Sequence, residues 1–347
     1  MMQVERWLML CLAFGCSAGN AHQLAAAESL SNDSETEPQT ELIVLVGAAG
    51  EPTYGERFQS WGEQLCESGN AASMDVTSIG LETMSESTAS PPETKSTQTD
   101  DTTQTDRDRL QHCLNEIDPS AEAAVWIVLI GHGTFYDGEA KFNLRGPDLT
   151  ATQLDEWLSR FKRPIVVVNT SSASGPFIEA LSAPGRIIIT ATKSGTQNNV
   201  TRIAEYWIQS IQDTQADLDH DDEVSVLESF RYATAKTREA FDNDDQILSE
   251  HALIDADGDG KGTRSETIDT SSGDGLTASK ITWLNPDASG RLTAAEIRLR
   301  DQWEARLSTL RSRRDQLDVQ AYEEALEAVL LPLSRLYHGT KGVVTDE

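Results

Sequence analysis

Positive charge is scarce in this 347-residue chain, in which 28 Lys and Arg stand against 57 Asp and Glu for a formal charge of −29. Such a surface repels phosphate backbones and anionic membranes, so no nucleic-acid partner is expected. Long apolar runs are also missing. The run from Trp7 to Cys16 is too short to span a bilayer as a mature helix, and no other stretch is long and apolar enough, so no integral membrane segment is expected in the mature form. Cysteine is sparse: of four, Cys11 and Cys16 lie in the leading segment, which leaves Cys66 and Cys113.

What is present at the N-terminus reads as an export signal. Arg6 gives a weakly positive start, Trp7 to Cys16 the apolar core, and Gly19-Asn20-Ala21 the small residues for cleavage after Ala21. Residues 1–21 are therefore expected to be a signal peptide, and the mature protein periplasmic or extracellular. Lipid anchoring through Cys16 is the alternative, but in Leu12-Ala13-Phe14-Gly15-Cys16 the Leu sits one place too far back for a good lipobox. Residues 22–40 carry Ala, Ser, Glu, Asn and Thr without an apolar period and are read as a disordered linker.

From Glu41 the pattern is aliphatic strands alternating with amphipathic helices. Leu42–Val46, Met74–Ile79, Val125–Ile130, Pro164–Val168 and Arg186–Thr190 read as strands. Helical periods run through Phe58, Trp61 and Leu65, then Leu110, Cys113, Leu114 and Ile117. They continue through Leu154, Trp157, Leu158 and Phe161, through Phe177–Leu181, and through Ile203–Ile211. Between them, Ser85–Thr105 has no Val, Ile or Leu and is read as a solvated loop. The alternation predicts an α/β fold, a doubly wound and mostly parallel sheet over 41–212 with helices on both faces. In that arrangement Cys66 and Cys113 sit on helices on opposite faces, so export permits a disulfide but the sheet separates the two thiols.

After Asp213 the chain turns acidic. Residues 213–296 are read as a calcium-loop region and 297–347 as C-terminal helices, with periods through Trp303, Leu307 and Leu310 and from Tyr322 to Leu333. Asp217, Asp219, Asp221, Glu223, Ser225 and Glu228 occupy positions one, three, five, seven, nine and twelve of an EF-hand loop, whose alternating oxygen ligands suit a hard cation. Asp222 stands where Gly normally makes the sharp turn. A second set is Asp255, Asp257 and Asp259, with Gly260 following and Glu266 at position twelve; Gly262 replaces the usual apolar residue at position eight. Calcium is the cofactor these ligands imply. A third echo, Asn285 to Glu296, carries little charge and reads better as a helix-capping turn.

Two strands end in unusual residues. One runs into Gly131-His132-Gly133, the other into Thr170-Ser171-Ser172-Ala173-Ser174-Gly175. Ligands of open parallel sheets bind beyond the carboxyl ends of the strands, and adjacent ends would bring His132 near the serines, with the Gly133 N–H free to approach a substrate oxygen.

In Ile127–Phe135 (IVLIGHGTF) the chain resembles the bacterial legumain-like cysteine peptidases of the caspase–hemoglobinase fold, and the likeness extends over about 42–211. The runs ADLDHDDEVSVLESFRYA, Ala216–Ala233, and EHALIDADGDGKG, Glu250–Gly262, resemble acidic segments of the same bacterial proteins. The resemblance implies peptide-bond cleavage, after Asn in legumains, by a strand-end Cys followed by a Ser-Gly element. Matching that element to Ser174-Gly175 puts Ser172 at the Cys position and His132 at the family's histidine, with Gly133 at the oxyanion site. The thiol is therefore missing. A thiolate attacks readily, whereas a serine needs an oriented base, and the sequence identifies no orienting group for His132. Three readings follow: a pseudopeptidase that retains the fold and binds a peptide or protein, a serine hydrolase using Ser172 (or Ser171) with His132, and a calcium-stabilised structural or interaction protein in which the pocket has no role.

Overall fold

A computed structural model of the chain describes residues 40–81, 104–219, 221, 223–283, 299–300, 302–303, 306–307, 309–311 and 313–339, all within one unit, Pro38–Glu347. The expected signal peptide, the linker up to residue 39, loop residues 85–103 and the third acidic loop lie outside the described residues.

Six strands form the central sheet: β1 (Glu41–Val46), β2 (Asp75–Ile79), β3 (Val125–Ile130), β7 (Ile165–Asn169), β8 (Arg186–Thr190) and β10 (Leu253–Asp255). Their order is β10-β8-β7-β3-β1-β2, parallel except for β10. The inner strands β1, β3, β7 and β8 are mostly aliphatic because both faces are covered. Leu42, Val44 and Val46 of β1 point into one core layer, Ile43 and Leu45 into the other. The first layer receives α1 (Pro52–Ala71), α5 (Ile203–Ser210) and α6 (Val226–Asn243); the second receives α2 (Asp106–Glu116), α3 (Ala151–Leu158) and α4 (Phe177–Leu181). Each fully buried Leu, Ile or Val in these layers contributes ~1.5–3 kcal/mol relative to exposure. Helix starts are written into the sequence as well. Thr105 with Asp108, Thr150 with Gln153, and Ser225 with Glu228 each form a reciprocal capping box, at the heads of α2, α3 and α6.

Cys66 packs against the first layer and Cys113 against the second, and both are free thiols. The doubly wound arrangement separates them, as the sequence led us to expect.

Two features go beyond the elements expected from the sequence. The acidic region contributes a strand to the main sheet: β10 pairs antiparallel with β8, Leu253 opposite Thr190 and Asp255 opposite Ile188, and so fully buries Ile254 and Asp255. Beyond β3 the chain folds into a small antiparallel sheet of β4 (Gly133–Tyr136), β5 (Glu139–Phe142) and β6 (Leu149–Thr150). Its first turn is Asp137-Gly138, both with positive φ (52° and 81°), the left-handed pair that a tight hairpin demands. Two further short strands, β9 (Val224–Ser225) and β11 (Thr282–Trp283), pair ahead of α6, while α7 (Gly273–Ala278) and α8 (Val319–Gly339) complete the labelled helices. Among the described residues, no helix is long and apolar enough to cross a membrane.

Candidate functional site

β1 lies between β2 and β3, so the chain leaves the carboxyl ends of β1 and β3 toward opposite sides of the sheet. That divergence opens a crevice, where sheets of this kind bind ligands. His132 lies two residues beyond β3 and bridges the opening. Its Nε2 is 3.1 Å from the carbonyl oxygen of Ala49, on the loop that follows β1. A carbonyl can only accept, so Nε2 carries the hydrogen and Nδ1 keeps its lone pair in the neutral ring. Tyr54 and Phe58, one turn apart on α1, meet the imidazole edge-on with centroids 5.1 and 5.0 Å away. The ring is thus held by one hydrogen bond and two aromatic contacts. Ala49 is the orienting group the sequence did not disclose, because a backbone carbonyl leaves no signature in residue type.

The serine segment follows β7 and is packed against β3 and β4. Thr170 Oγ1 donates to the Leu129 carbonyl at 2.8 Å. Ser171 is fully buried and turned back on its own strand, with Oγ donating to Asn169 Oδ1 at 2.6 Å. Ser172 faces the crevice strand: its Oγ donates to the Gly133 carbonyl at 3.1 Å and accepts from the Gly133 N–H at 3.3 Å. Ala173 then takes a left-handed conformation (φ 54°) and donates its N–H to the Gln197 carbonyl at 2.8 Å. Ser174 and Gly175 are structural: Ser174 Oγ lies 3.2 Å from Thr192 Oγ1, which also accepts from the Gly175 N–H at 3.0 Å.

His132, Gly133 and Ser172 therefore share one small region, and Ser172 is bonded to Gly133. Among the described residues, no hydrogen bond joins His132 to Ser171 or Ser172. The Ser172 hydroxyl proton is engaged by a carbonyl, and the N–H expected to meet a substrate oxygen is engaged by Ser172.

No protein-family model matches this sequence, and no curated protein matches it at a significant level. Solved structures similar to it include a protein of Geobacter sulfurreducens, with a TM-score of 0.40 and 10% identity over 62% of this chain and 92% of the other. The Drosophila initiator caspase Dronc gives a TM-score of 0.37 and 11% identity over 73% and 95% of the two chains. Caspase-1 from Spodoptera frugiperda gives 0.37 and 10% over 63% and 86%.

The acidic segments form two carboxylate groups. In the first, Asp217, Asp219 and Asp221 present oxygens within 4.8 Å of one another. Glu228 closes against them through the backbone, its Oε1 accepting from Leu218 N at 2.8 Å, while its Oε2 accepts from Ser225 Oγ at 2.7 Å. Glu223 is drawn off to Arg300, whose Nη1 donates to it at 3.0 Å. Burial first, then the charges of Glu228 and Asp217, raises the Asp219 carboxyl above its usual range. Burial likewise pushes Asp221 up to about 7, with Asp219, Glu223 and Glu228 adding to the effect.

In the second group Asp255 and Asp257 converge not with Asp259 and Glu266 but with Asp274, at the start of α7. Asp274 Oδ1 accepts from Ala256 N at 2.6 Å, and the two Asp255 oxygens accept from Gly258 N at 2.9 Å and Gly260 N at 3.0 Å. Asp259 faces Lys261 Nζ at 2.8 Å, and Glu266 is paired with Arg238. Burial, helped by the nearby Asp274, raises the Asp257 carboxyl. Asp274 lies beyond the twelve residues of an EF-hand loop, so loop spacing does not point to it. Both groups offer only oxygen donors and repel themselves when ionised, which is the donor chemistry of a hard cation such as calcium.

Proposed function

We propose that this chain is an exported pseudopeptidase of the caspase–hemoglobinase type that binds a peptide or protein at the crevice around His132, with calcium bracing its acidic region. The observation that carries this reading is the double hydrogen bond between Ser172 and Gly133. It engages the candidate nucleophile's proton with the Gly133 carbonyl and the candidate oxyanion donor, the Gly133 N–H, with Ser172 Oγ, so neither is presented to a substrate carbonyl. The remaining thiols offer no substitute. Burial, with Glu63 and Glu67 adding, pushes Cys66 up to about 11, and burial raises Cys113 as well. Thiols that hold their protons are poor nucleophiles. Calcium is supported by the two oxygen-only carboxylate groups, and membership of the peptidase class by the IVLIGHGTF run that ends at the crevice.

A serine hydrolase is the second reading, favoured by one observation. The Ala49 carbonyl fixes the His132 tautomer and leaves Nδ1 as a base, and a hydroxyl rotor needs little energy to turn.

The test is to incubate the mature protein, with and without calcium, with a fluorophosphonate probe and a panel of Asn-containing peptides. Ser172→Ala and His132→Ala serve as controls. The expected result is no labelling and no cleavage, measurable binding of peptides containing Asn or Asp, and a higher Tm with calcium. Labelling or cleavage that both substitutions abolish would overturn the leading reading and establish the second.

A further inference from the structure

Gln197 lies in the loop after β8 and ties the turn that follows Ser172 to a distant stretch of chain. Its carbonyl oxygen accepts the Ala173 N–H at 2.8 Å. Its side-chain Oε1 accepts from Lys193 N, in the same loop, at 2.8 Å. Its Nε2 donates to the Ser249 carbonyl at 2.7 Å and meets His251 Nδ1 at 2.8 Å. Ser249 and His251 belong to the stretch 246–252, which has no regular structure of its own and connects α6 to β10.

The direction of the bond to His251 is fixed by its neighbours. The Lys193 N–H can only donate and the Ser249 carbonyl can only accept, so Nε2 faces His251 as a donor. Nδ1 must then hold a lone pair, which places the hydrogen of the neutral ring on its Nε2. A second proton on the ring would set two N–H donors against each other across 2.8 Å. Turning the amide over gives no relief, because its NH₂ group would then face the Lys193 N–H and its oxygen the Ser249 carbonyl.

The surrounding charges oppose the extra proton too. Burial first, then Lys193 from the loop, Arg264 from the segment after β10 and Arg238 from α6, hold the His251 pKa below its ordinary 6.5. The two carboxylates that line the same cavity as His251 are engaged elsewhere. Glu250 accepts from Arg202 N at 2.8 Å and Ile203 N at 3.0 Å, and Glu266 is paired with Arg238.

We propose that the Gln197–His251 contact is an acid-released latch: protonation of His251 frees the stretch 246–252 from Gln197 and loosens the turn that follows Ser172. That turn depends on being held. Ala173 is left-handed, with φ 54°, a conformation that a residue with a Cβ keeps only when its surroundings impose it, and its N–H is bonded to Gln197. Folding keeps His251 neutral, so the stability it contributes is complete above the ordinary pKa of 6.5 and is lost as pH falls through the lower value of the folded chain. The latch does not depend on whether Ser172 is a nucleophile or a clasp.

The test follows the full chain, with ¹⁵N-labelled histidine, by NMR between pH 8 and pH 5 at fixed calcium. Loss of a signal in His251→Gln assigns it to His251. The expected result is an Nε2–H tautomer that takes up its proton below pH 6.5, with protection of the Ala173 amide against hydrogen exchange falling about ten-fold over the same transition. In His251→Gln an amide oxygen can accept from Gln197 at every pH, so that step should vanish. Gln197→Glu replaces the donor with a carboxylate and should raise the His251 pKa by about one unit or more. An Nδ1–H tautomer, a pKa at or above 6.5, or an unchanged pKa in Gln197→Glu overturns the latch. Ala173 protection that stays flat through the transition, or that steps equally in His251→Gln, overturns its link to the serine turn.

Discussion

Ser172 and Gly133 are hydrogen-bonded to each other twice, the serine Oγ giving its proton to the glycine carbonyl at 3.1 Å and taking the glycine N–H at 3.3 Å. The pair ties the end of β7 to the start of β4 across the mouth of the sheet. A side chain placed where a nucleophile is expected thus works as a structural clasp, and a clasp has a stability cost when removed, whatever the site's chemistry.

Ser172→Ala leaves a buried N–H and carbonyl on Gly133 without their partner. The expected loss is ~1–3 kcal/mol, read as a lower midpoint in urea unfolding with an unchanged slope. A substitution that leaves the midpoint unmoved would show that the clasp is not formed in solution.

The same contact makes Gly133 a matter of space. A Cβ there would stand 2.2 Å from the Ser172 carbonyl oxygen and 2.6 Å from Ser171 Oγ, and the first is backbone that cannot swing aside. Gly133→Ala is expected to cost ~3 kcal/mol or more through overpacking. Gly138→Ala, at φ 81° with nothing within 4 Å of its Cβ, carries only the left-handed penalty of ~1 kcal/mol. Thermal unfolding of the two variants side by side checks the order.

Calcium binding separates the geometric reading of the second acidic group from the linear one. Asp274→Asn removes a charge from the convergent trio yet keeps an oxygen for the Ala256 N–H, whereas Asp259→Asn removes a charge already paired with Lys261. Calorimetric titration is expected to show about ten-fold weaker calcium binding in the first and little change in the second. The reverse order would restore Asp259 as the ligand.

Glu250 makes stability depend on pH. Burial raises its pKa from the ordinary 4.5 to about 7, so between those values the folded chain holds a proton that the unfolded chain has released. Stability from this group therefore falls as pH rises through that window, by on the order of 3 kcal/mol. Urea unfolding in calcium-free buffer at pH 5 and pH 8 should show wild type losing ground by that much relative to Glu250→Gln, which has no proton to release. A constant difference between the two proteins would mean that Glu250 titrates normally.

Much of this fold was legible residue by residue. Leu42–Val46 and Val125–Ile130 are continuous apolar runs of strand length, Ile187–Ile189 is a shorter one, and they are strands because a sheet covered on both faces buries every position. The first turn of α1 at Pro52, ahead of the apolar period that begins at Phe58, was not. Nor was β10, whose three residues are too few to show a period. The hairpin at Asp137-Gly138 does leave a signal, a turn pair between short alternating segments.

What the sequence by itself determined is the layering, the separation of Cys66 from Cys113, and the end of the sheet at which His132 and the serines meet. All three follow from apolar periodicity and the handedness of parallel crossovers, which are local or nearly so. Tertiary structure alone decided that the Ala49 carbonyl holds His132, that Ser172 bonds to Gly133, and that Asp274 joins Asp255 and Asp257. The reason is physical. The first two rest on backbone groups that every residue carries, and the third on a side chain brought in from a later segment, so none of them leaves a pattern in the order of residue types.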